Sequence, residues 1–334
     1  MIEKKSTHKV EIVPILLEKH PNADALSLVK IYGGGYTVVV NTDDWKDKTL
    51  GAYLCPDSFV DTKRPEFSFL GDHPRITVRK FRGIYSQGLL VPAPEGSKIG
   101  DDVSDLLGVT RYEPEVQITS RGEATKPPEG FRPNYDVDAW NKYKYLLTFG
   151  EFVVITEKIH GCSAKYTYVD GKMYCGSKGE WKREEENNLW WKCLNQNPWI
   201  KDFCIENPGL TLYGEIYGPV QSLKYGRNGN NIGFAGFDIF DVIKSRFLSW
   251  VEIWEVLGKD FRNVSLDRWV PILYNGPYSE KKVLEFVDGP STVSGADNIR
   301  EGCVVQTIED RYSNELGGRV KLKIVSNIYL SQNK

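Results

Sequence analysis

Short runs of β-branched and aromatic residues, separated by turn residues, extend over most of this sequence. Up to about residue 110 they read VEIVPILLE, LSLVKIYGGGYTVVVN, GAYLCP, RITVRKFRG and YSQGLLVP, with Pro, Gly, Asn and Asp between them. Runs of this kind at this spacing are typical of strands joined by tight turns. The first third of the chain is therefore predicted to be a small all-β domain, a barrel or a sandwich.

The composition changes after residue 112. Residues 113–134 contain four prolines and few large aliphatic side chains, which is typical of a linker. Just beyond, Val137, Trp140, Tyr143 and Leu147 recur at helical spacing, so a second domain is predicted for residues 135–334. Its strand-like runs alternate with helical stretches at roughly 184–206 and 246–258. This mixture predicts an α+β domain with antiparallel sheets.

Bulk properties limit the classes of protein that fit. A chain of 334 residues is long enough for two cores, and 40% hydrophobic residues suit an ordinary globular protein. There is no apolar run of membrane-helix length and no signal-peptide core at the start, which predicts a cytoplasmic protein. The spacing of the six cysteines and four histidines does not match a zinc site. Because the net charge is −2, any nucleic-acid surface must be a local basic patch.

A lysine stands where the preceding residues predict a buried strand. Residues 152–155 read Phe-Val-Val-Ile, and Lys158 follows within three residues, ahead of His160 and Gly161. An isolated lysine of this kind is usually an edge residue that reaches solvent. It can also be a nucleophile, provided that burial or nearby cations favour the uncharged amine.

Four later segments contain further chemically active residues in a fixed order. LYGEIYG contains Glu215, GFAGFDIF contains Phe237, REGCVVQ contains Glu301, and RVKLKIV contains Lys321 and Lys323. The last two lysines are two residues apart, so in a strand their amines point to the same face. Each residue taken singly also fits a structural role: a solvated acid, a core aromatic, or an exposed face. Their fixed order together with Lys158 is much harder to explain in that way.

The ordered set resembles the motifs of the covalent nucleotidyltransferases. Glu157-Lys158-Ile159-His160-Gly161 has the KxHG form that is similar to the ATP-dependent RNA ligase branch, and the resemblance extends over residues 140–326. The resemblance implies that Lys158 attacks ATP and becomes a lysyl-adenylate. The AMP then passes to a 5′-phosphate, and a 3′-hydroxyl displaces it to seal the strand.

The same resemblance implies roles for individual residues. Lys321, Lys323 and a divalent metal, Mg²⁺ or Mn²⁺, would favour an uncharged Lys158 and neutralise charge at the phosphate. Glu301 would orient metal-bound water. The remaining implied contacts are those of Phe237 with adenine, Glu215 with the ribose, Lys178 with the sugar-phosphate region, Glu157 and Ile159 with the nucleotide beside the nucleophile, and His160 with phosphate in later steps.

The N-terminal region has a resemblance of its own. LLEKHPNADALSLVKI, VVVNTD and ITVRKFRGIYSQGLLVP are similar to the OB-fold tRNA-binding module of some aminoacyl-tRNA synthetases. OB folds bind oligonucleotides across one face. Arg79, Lys80 and Arg82 form a local basic strand that could contact phosphates, although a solvated strand edge explains them equally well. An N-terminal OB module before a KxHG core is the arrangement of one subgroup of RNA ligases.

The predicted function is therefore ATP-dependent sealing of 3′-hydroxyl and 5′-phosphate ends, at nicks in duplexes with RNA on the 3′-hydroxyl side. A monomer is favoured. DNA ligases and capping guanylyltransferases share the core but continue into a C-terminal OB domain, and only 11 residues follow Lys323 here. A non-catalytic RNA-binding protein is a further alternative, against which the intact lysines and acids argue.

Overall fold

The computed structural model describes residues 8–112, 123–258 and 268–332, and these residues form two compact units. The smaller unit comprises residues 8–112, 139–143 and 327–332, and the larger unit comprises 123–138 and the described part of 144–326. Residues 113–122 of the predicted linker lie outside the described residues. The division into domains at 1–112, 113–134 and 135–334 stays a prediction.

The smaller unit is mostly β-structure. Its strands are β1 Glu11–Pro14, β2 Leu17–Lys19, β3 Leu26–Ile31, β4 Tyr36–Asn41, β5 Leu50–Leu54, β6 Ser58–Phe59, β7 Val78–Phe81, β8 Ile84–Gln87, β9 Leu89–Pro92 and β10 Thr110–Arg111. Two short helices, α1 Thr42–Trp45 and α2 Ser104–Leu107, and a 3-10 turn, Ser68–Leu70, join them. The predicted strand runs of this region are confirmed.

The strands of the smaller unit pair in antiparallel ladders. The sheets have the orders β1-β5-β9, β2-β3-β4, β7-β8 and β10-β6. Alternate residues of these strands point inward, so Ile12, Ala52, Leu54 and Val91 are buried together. Both faces of β5 are buried, because its alternate residues enter two clusters: Ala52 and Leu54 enter one, and Tyr53 enters the other.

The remaining elements are mainly those of the larger unit, which combines strands with helices; the helices at 140–143 and 327–332 belong to the smaller unit. In chain order the remaining elements are β11 Ala124–Thr125, β12 Asp138–Ala139, α3 Trp140–Tyr143, β13 Phe152–Lys158, β14 Cys162–Val169, β15 Lys172–Gly176, β16 Trp181–Lys182, α4 Leu189–Gln196, α5 Trp199–Glu206, β17 Leu210–Tyr217, β18 Gly233–Asp241, β19 Arg246–Phe247, α6 Trp250–Val256, β20 Ile272–Pro277, α7 Glu280–Glu285, β21 Gly302–Thr307, β22 Tyr312–Ser313, β23 Gly318–Arg319, β24 Lys321–Val325 and α8 Asn327–Gln332. A 3-10 turn, Lys144–Leu146, continues α3. The helix predicted from Val137 to Leu147 is thus shorter than its pattern.

Two antiparallel sheets organise the larger unit. The seven-stranded sheet has the order β11-β16-β15-β14-β17-β18-β19, and the second sheet contains the order β24-β21-β13-β20. Ladders of this kind confirm the predicted α+β class with antiparallel sheets. The long strands β14, β17 and β18 lie side by side at the centre of the seven-stranded sheet.

Helices α4, α5 and α6 cover one face of the seven-stranded sheet. Trp190, Ile200 and Trp250 are buried there against Leu212 and Ile239. The predicted helical stretch 184–206 is split, because α4 ends before Asn197 and Pro198 precedes α5. A proline has no backbone N–H for an uninterrupted helix. The other face of this sheet, with Ser163, Lys165, Tyr213 and Glu215, remains for the site described below.

The cysteines are free, and five of the six are buried. Within the described part of the chain, no helix is long and apolar enough to span a membrane.

Candidate active site

Lys158 is the last residue of β13 and pairs with Gly302 of β21. Its amine lies 2.7 Å from a carboxylate oxygen of Glu301, the residue before β21. The Lys158 side chain is 24% exposed and that of Glu301 is 10% exposed, so the pair is accessible mainly from the lysine side. A carboxylate at this distance favours the protonated amine. The Lys158 amine therefore forms an ion pair with Glu301 in this structure.

Gly161 turns the chain from β13 into β14 and permits a very close approach to β17. A Cβ atom at this position would lie 2.0 Å from the carbonyl oxygen of Ile216. No other residue fits such a contact without a backbone shift. The glycine of the KxHG motif thus keeps Lys158 close to the central strand of the seven-stranded sheet.

His160 is oriented by residues between β17 and β18. Its backbone N–H donates to the hydroxyl of buried Tyr225 at 2.6 Å, and its Nε2 lies 3.1 Å from the hydroxyl oxygen of Ser222. Its Nδ1 lies 3.7 Å from the Glu301 carboxylate that holds Lys158. The imidazole therefore borders the nucleophile, where it can reach a phosphate on the same side.

Glu215 lies within β17, directly across from Ser163 of β14. It does not end the strand, because β17 continues to Tyr217. Burial, together with the neighbouring Glu301 charge, raises the pKa of Glu215 to about 8, although Lys158 and the Gly161 N–H oppose the rise. Two carboxyl groups thus share one small region with a single lysine.

Glu215 and Glu301 suit a divalent cation. Carboxylate oxygens are the ligands that Mg²⁺ and Mn²⁺ prefer, and a cation would offset the mutual repulsion that helps raise the pKa of Glu215. Within the described residues, no three His, Cys, Asp or Glu side chains are grouped closely enough to bind an ion. The protein thus offers one or two carboxylates, and waters would have to complete the coordination.

Lys321 and Lys323 project from β24 on the same face as Lys158. The ladders align Thr156 with Val304 and Lys323, and Lys158 with Gly302 two pairs further along. Residues directly opposite each other in antiparallel strands point to the same side. This register places Lys321 and Lys323 on one face of β24, as their spacing predicts, and Lys158 lies on the same face of the sheet.

Acids on neighbouring elements pair with the two β24 lysines. The Lys321 amine donates to Asp238 at 2.9 Å and to the Phe237 carbonyl oxygen at 3.3 Å. The Lys323 amine lies 3.8 Å from Asp136. Because Asp238 balances the charge of Lys321, this lysine repels the Lys158 charge less than the sequence analysis expected.

Asp238 is fully buried, and its carboxylate has further partners in addition to Lys321. Arg319 and the hydroxyl of Tyr135 also donate to its carboxylate, the latter at 2.8 Å. Burial opposes ionisation of Asp238, but the charges of Arg319 and Lys321 hold its pKa below the usual value. Arg319 further lies 3.3 Å from Asp310, so two acids and two cations form a balanced group.

Phe237 is the extra residue of a bulge between β17 and β18. The ladder pairs Tyr213 with Asp238 and Gly214 with Gly236, which leaves Phe237 without a partner in β17. A bulge re-aims a side chain, and the half-buried Phe237 ring lies against Tyr135 with ring centres 4.7 Å apart. The predicted adenine contact of Phe237 has to share this ring with Tyr135 or use its other face.

Lys178 follows β15 and reaches the same segment as Lys323. Its amine donates to the Asp136 carboxylate at 3.0 Å. Two cations predicted to contact the nucleotide, one on each sheet, are thus brought together by a single aspartate.

Glu157 and Ile159 flank the nucleophile but point away from it. The Glu157 carboxylate is buried and accepts hydrogen bonds from the Ser291 hydroxyl and from the N–H and hydroxyl of Thr292, at 2.6–2.8 Å. The Ile159 side chain is part of the core under the seven-stranded sheet. The predicted contacts of these two residues with the nucleotide would therefore have to come from their backbone atoms.

The three predicted nucleic-acid residues of the smaller unit do not share one surface. Arg79 lines a cleft of about 850 Å³. Lys80 points to the other side of β7, with its amine 5.0 Å from the centre of the Tyr85 ring. Arg82 lies in the turn after β7 with a positive φ of 46°. Of the three, Arg79 alone borders the cleft.

Two protein-family models match separate parts of this chain. The RNA ligase family model matches residues 151–325, which contain Lys158, Glu215, Phe237, Glu301 and both β24 lysines. This chain belongs to the RNA ligase family. A model of an OB-fold domain matches residues 9–93 of the smaller unit. The predicted family and the two predicted fold types are confirmed.

Solved structures of the Naegleria gruberi RNA ligase are similar over almost the whole chain. The structure with pyrophosphate has 25% sequence identity and a TM-score of 0.80, covering 98% of this chain and 99% of the other. Two further structures, alanine variants with ATP and Mn and with AMP and Mn, share 24% identity with TM-scores of 0.78 and 0.79. They cover 96% and 97% of this chain, and 98% of the other chain in each case. No curated protein matches the sequence.

Several residues at this RNA ligase site were not found from the sequence. Asp136, Tyr135, Ser222 and Tyr225 contact the predicted residues from loops that no motif covers. Asp238 was noted only as an acid beside Phe237. The sequence carries one usable signal, the aromatic-acid pair Tyr135-Asp136 directly after a proline-rich segment.

Proposed function

We propose that this RNA ligase family member is an ATP-dependent enzyme that joins 3′-hydroxyl and 5′-phosphate ends of RNA through a lysyl-AMP on Lys158. We further propose that it acts at nicks in duplexes with RNA on the 3′-hydroxyl side. The observation that carries the proposal is the position of the Lys158 amine, 2.7 Å from Glu301 and on the same sheet face as Lys321 and Lys323.

The chemistry consists of three displacements at phosphorus. The Lys158 nitrogen, after losing a proton, bonds to the α-phosphorus of ATP while the bond to the pyrophosphate oxygen breaks. A 5′-phosphate oxygen then displaces the lysine and forms an adenylylated end. The 3′-hydroxyl oxygen finally attacks the 5′-phosphorus, and AMP leaves. Each step concentrates negative charge where Lys323, Lys178 and His160 can stabilise it.

The first displacement requires the Lys158–Glu301 ion pair to loosen, because an ammonium group has no lone pair for attack. A divalent cation, when bound at Glu301 and Glu215, would supply positive charge at the phosphate. Glu301 would then be engaged by a ligand other than the lysine. Burial is the main cause of the raised pKa of Glu215, about 8, and a cation bound beside it would oppose that rise as Lys158 does.

The similar Naegleria gruberi RNA ligase structures support the choice of nucleotide and metal. They hold ATP with Mn, AMP with Mn, and pyrophosphate. ATP, AMP and pyrophosphate are the substrate and products of the reaction proposed for Lys158. We therefore propose ATP as the nucleotide, with Mg²⁺ or Mn²⁺.

The smaller unit supplies a candidate surface for nucleic acid. Its cleft is bordered by Arg75 and Arg79, and by the exposed aromatic rings of Phe69 and Phe81. Cations that contact phosphates and rings that stack on bases are the usual components of single-strand binding. We propose that this cleft, rather than Lys80 or Arg82, contacts the RNA substrate.

The test is covalent labelling of the intact protein with α-labelled ATP or α-labelled GTP and a divalent metal, followed by a denaturing gel. We expect an AMP adduct in the wild type and its loss, by at least about 10³-fold, in Lys158→Ala. Lys172→Ala is the matched control, since Lys172 is an exposed lysine at the start of β15 and should leave the adduct in place. A GMP adduct would indicate a capping guanylyltransferase, and absence of any adduct would indicate a binding protein.

Nicked duplexes with ribose or deoxyribose at the 3′-hydroxyl side extend the same experiment. We expect faster sealing on ribose. Equal sealing of the two nicks would contradict the assignment to RNA and favour a DNA ligase, while leaving the lysyl-AMP step intact.

A further inference from the structure

Asp136 lies between two lysines that come from different sheets. Its carboxylate is 3.0 Å from the amine of Lys178, in the loop after β15, and 3.8 Å from the amine of Lys323, in β24. Asp136 is 31% exposed, so its carboxylate is accessible to solvent and to a ligand. Both lysines are the ones expected to contact the sugar and phosphate of the nucleotide. The Asp136 carboxylate therefore lies where a phosphate of the nucleotide is expected to bind.

The residue before Asp136 is fixed in place. The Tyr135 hydroxyl donates to buried Asp238 at 2.8 Å, and its ring packs against Tyr213, Phe237 and Phe247 with centres 4.7–5.6 Å apart. The backbone at Asp136 is thus anchored on one side. The Asp136 carboxylate also accepts from the Val137 N–H at 3.0 Å, so rotation of the side chain exchanges this bond together with the two lysine contacts.

We propose that the Asp136 carboxylate is an internal competitor of the nucleotide phosphate, which binds Lys178 and Lys323 in the free enzyme and is exchanged for the phosphate when the nucleotide binds. The proposal rests on the proposed function, because it takes these lysines as ligands of the nucleotide. It adds a residue that sets the affinity of the site for phosphorylated ligands.

Electrostatics makes simultaneous occupation unfavourable. A phosphate bound to the same two amines would lie within several ångströms of the Asp136 carboxylate, and like charges at such distances repel in a partly buried pocket. Each lysine amine has three donors and can accept a new partner without moving far. The net result of exchange is that one anion replaces another, with the two cations retained.

The exchange has a specific thermodynamic signature. Asp136 stabilises the free enzyme and not the phosphate complex, so its removal should tighten every ligand that carries the phosphate. A nucleoside without phosphate does not compete for the lysines, and its affinity should be unchanged. In lysyl-adenylate formation the same change lowers the KM for ATP more than it alters kcat.

The experiment measures binding of AMP and of adenosine to the full-length protein by calorimetry. We expect Asp136→Asn to bind AMP about three- to tenfold more tightly than the wild type, and adenosine equally well. Asp170→Asn is the matched control: it removes one exposed carboxylate from the turn between β14 and β15, and both ligands should bind as in the wild type. In a Lys178→Met background, the gain from Asp136→Asn should shrink.

Two outcomes overturn the proposal. Weaker AMP binding by Asp136→Asn would mean that the aspartate orders the lysines for phosphate, and unchanged binding would mean that it does not influence them. A melting curve of Asp136→Asn that matches the wild type excludes misfolding as the cause. Failure of the proposed function is distinguishable, since the wild type would then form no AMP adduct.

Discussion

Lys165 and Asp238 lie in the same row of the seven-stranded sheet, with Tyr213 of β17 between them. The charge of Asp238 is compensated by cations, whereas the charge of Lys165 is not compensated by an acid among the described residues. The ladders pair Lys165 with Tyr213 and Tyr213 with Asp238. Two strand spacings, about 10 Å, therefore separate the two residues. Both side chains are buried, Lys165 to 3% exposure and Asp238 to 0%.

Asp238 belongs to the balanced cluster, which we define as Asp238, Asp310, Arg319 and Lys321. Its two carboxylates and two cations are connected by direct ion pairs. Lys165 belongs instead to the cation pair, defined as Lys165 and Arg132. Within the described residues, the Lys165 amine has as partners only the Lys178 carbonyl oxygen at 3.4 Å and the Trp181 ring at 4.7 Å.

The two groups differ in whether the buried charge is compensated by nearby groups. A buried charge is tolerated when opposite charges and hydrogen bonds replace water, as in the balanced cluster. A buried lysine with only a carbonyl and a ring is poorly compensated, and burial lowers the pKa of Lys165 to about 8, with Arg132 adding to the effect. Uncompensated charge of this kind beside a pocket is more typical of a functional surface than of a core.

Removing the central acid of the balanced cluster should have the largest effect. Asp238→Asn leaves Arg319 and Lys321 buried with only Asp310 as an acidic partner. We expect a loss of about 3–5 kcal/mol in the free energy of unfolding, measured by urea denaturation. Asp310→Asn is the control, because Asp310 is partly exposed and pairs with a single cation, Arg319 at 3.3 Å, besides accepting from the Gln306 amide at 3.1 Å. Equal losses in the two variants would show that Asp238 is not the centre of the cluster.

Removing the Lys165 charge from the cation pair should change the free energy of unfolding in the opposite direction. Lys165→Met is expected to stabilise the protein at pH 7 by up to about 3 kcal/mol, the equivalent of a pKa lowered from 10.5 to about 8. The cost of the buried ammonium is complete below pH 8 and disappears as the pH approaches 10.5, where the unfolded lysine also loses its proton. The gain should follow the same course in urea denaturation at several pH values.

Lys172→Met is the matched control for that prediction. Lys172 is an exposed lysine of the adjacent strand β15, and its replacement should change the free energy of unfolding by no more than about 0.5 kcal/mol. A loss of stability in Lys165→Met, or a gain that persists at pH 10.5, would refute the contrast between the two groups.

The smallest effect is expected for a buried acid that is compensated by neutral donors. Glu157 accepts three hydrogen bonds from Ser291 and Thr292 and has no cation among those partners. Glu157→Gln should cost about 1–2 kcal/mol in the free energy of unfolding, since the charge-assisted bonds weaken but one acceptor oxygen remains. Asp297→Asn in the same loop, an exposed position, should be neutral. A cost as large as that of Asp238→Asn would contradict the order proposed here.

Much of the fold could be predicted because the sequence alternates with strand periodicity. The runs around Val153, Tyr166, Leu212 and Ile239 all became strands of the two sheets. Strand β20 and helix α7 were missed, since Ile272–Pro277 contains Asn, Gly and Pro and resembles a loop. The stretch 184–206 looked like one helix because its apolar spacing continues through Pro198.

The site was predictable to the extent that its residues occur in motifs. Lys158, Glu301 and His160 were expected together, and the structure places the Lys158 amine 2.7 Å and the His160 ring 3.7 Å from the Glu301 carboxylate. Which acid pairs with which cation could not be predicted in this way. Asp136 meets Lys178 across 42 residues of sequence, and Asp238 meets Lys321 across 83.

The sequence alone determined the chemical identity of the groups: a lysine at the end of an apolar strand, two acids, and two lysines whose spacing sends them to one face. That follows from local periodicity, which the backbone imposes on any strand. Only the tertiary structure decided the electrostatic environment of each group, namely that Asp238 neutralises Lys321, that Asp136 bridges Lys178 and Lys323, and that Lys165 is left with a carbonyl and a ring. The reason is that charge interactions depend on distances between elements far apart in the chain, and those distances are fixed only when the sheets pair and pack.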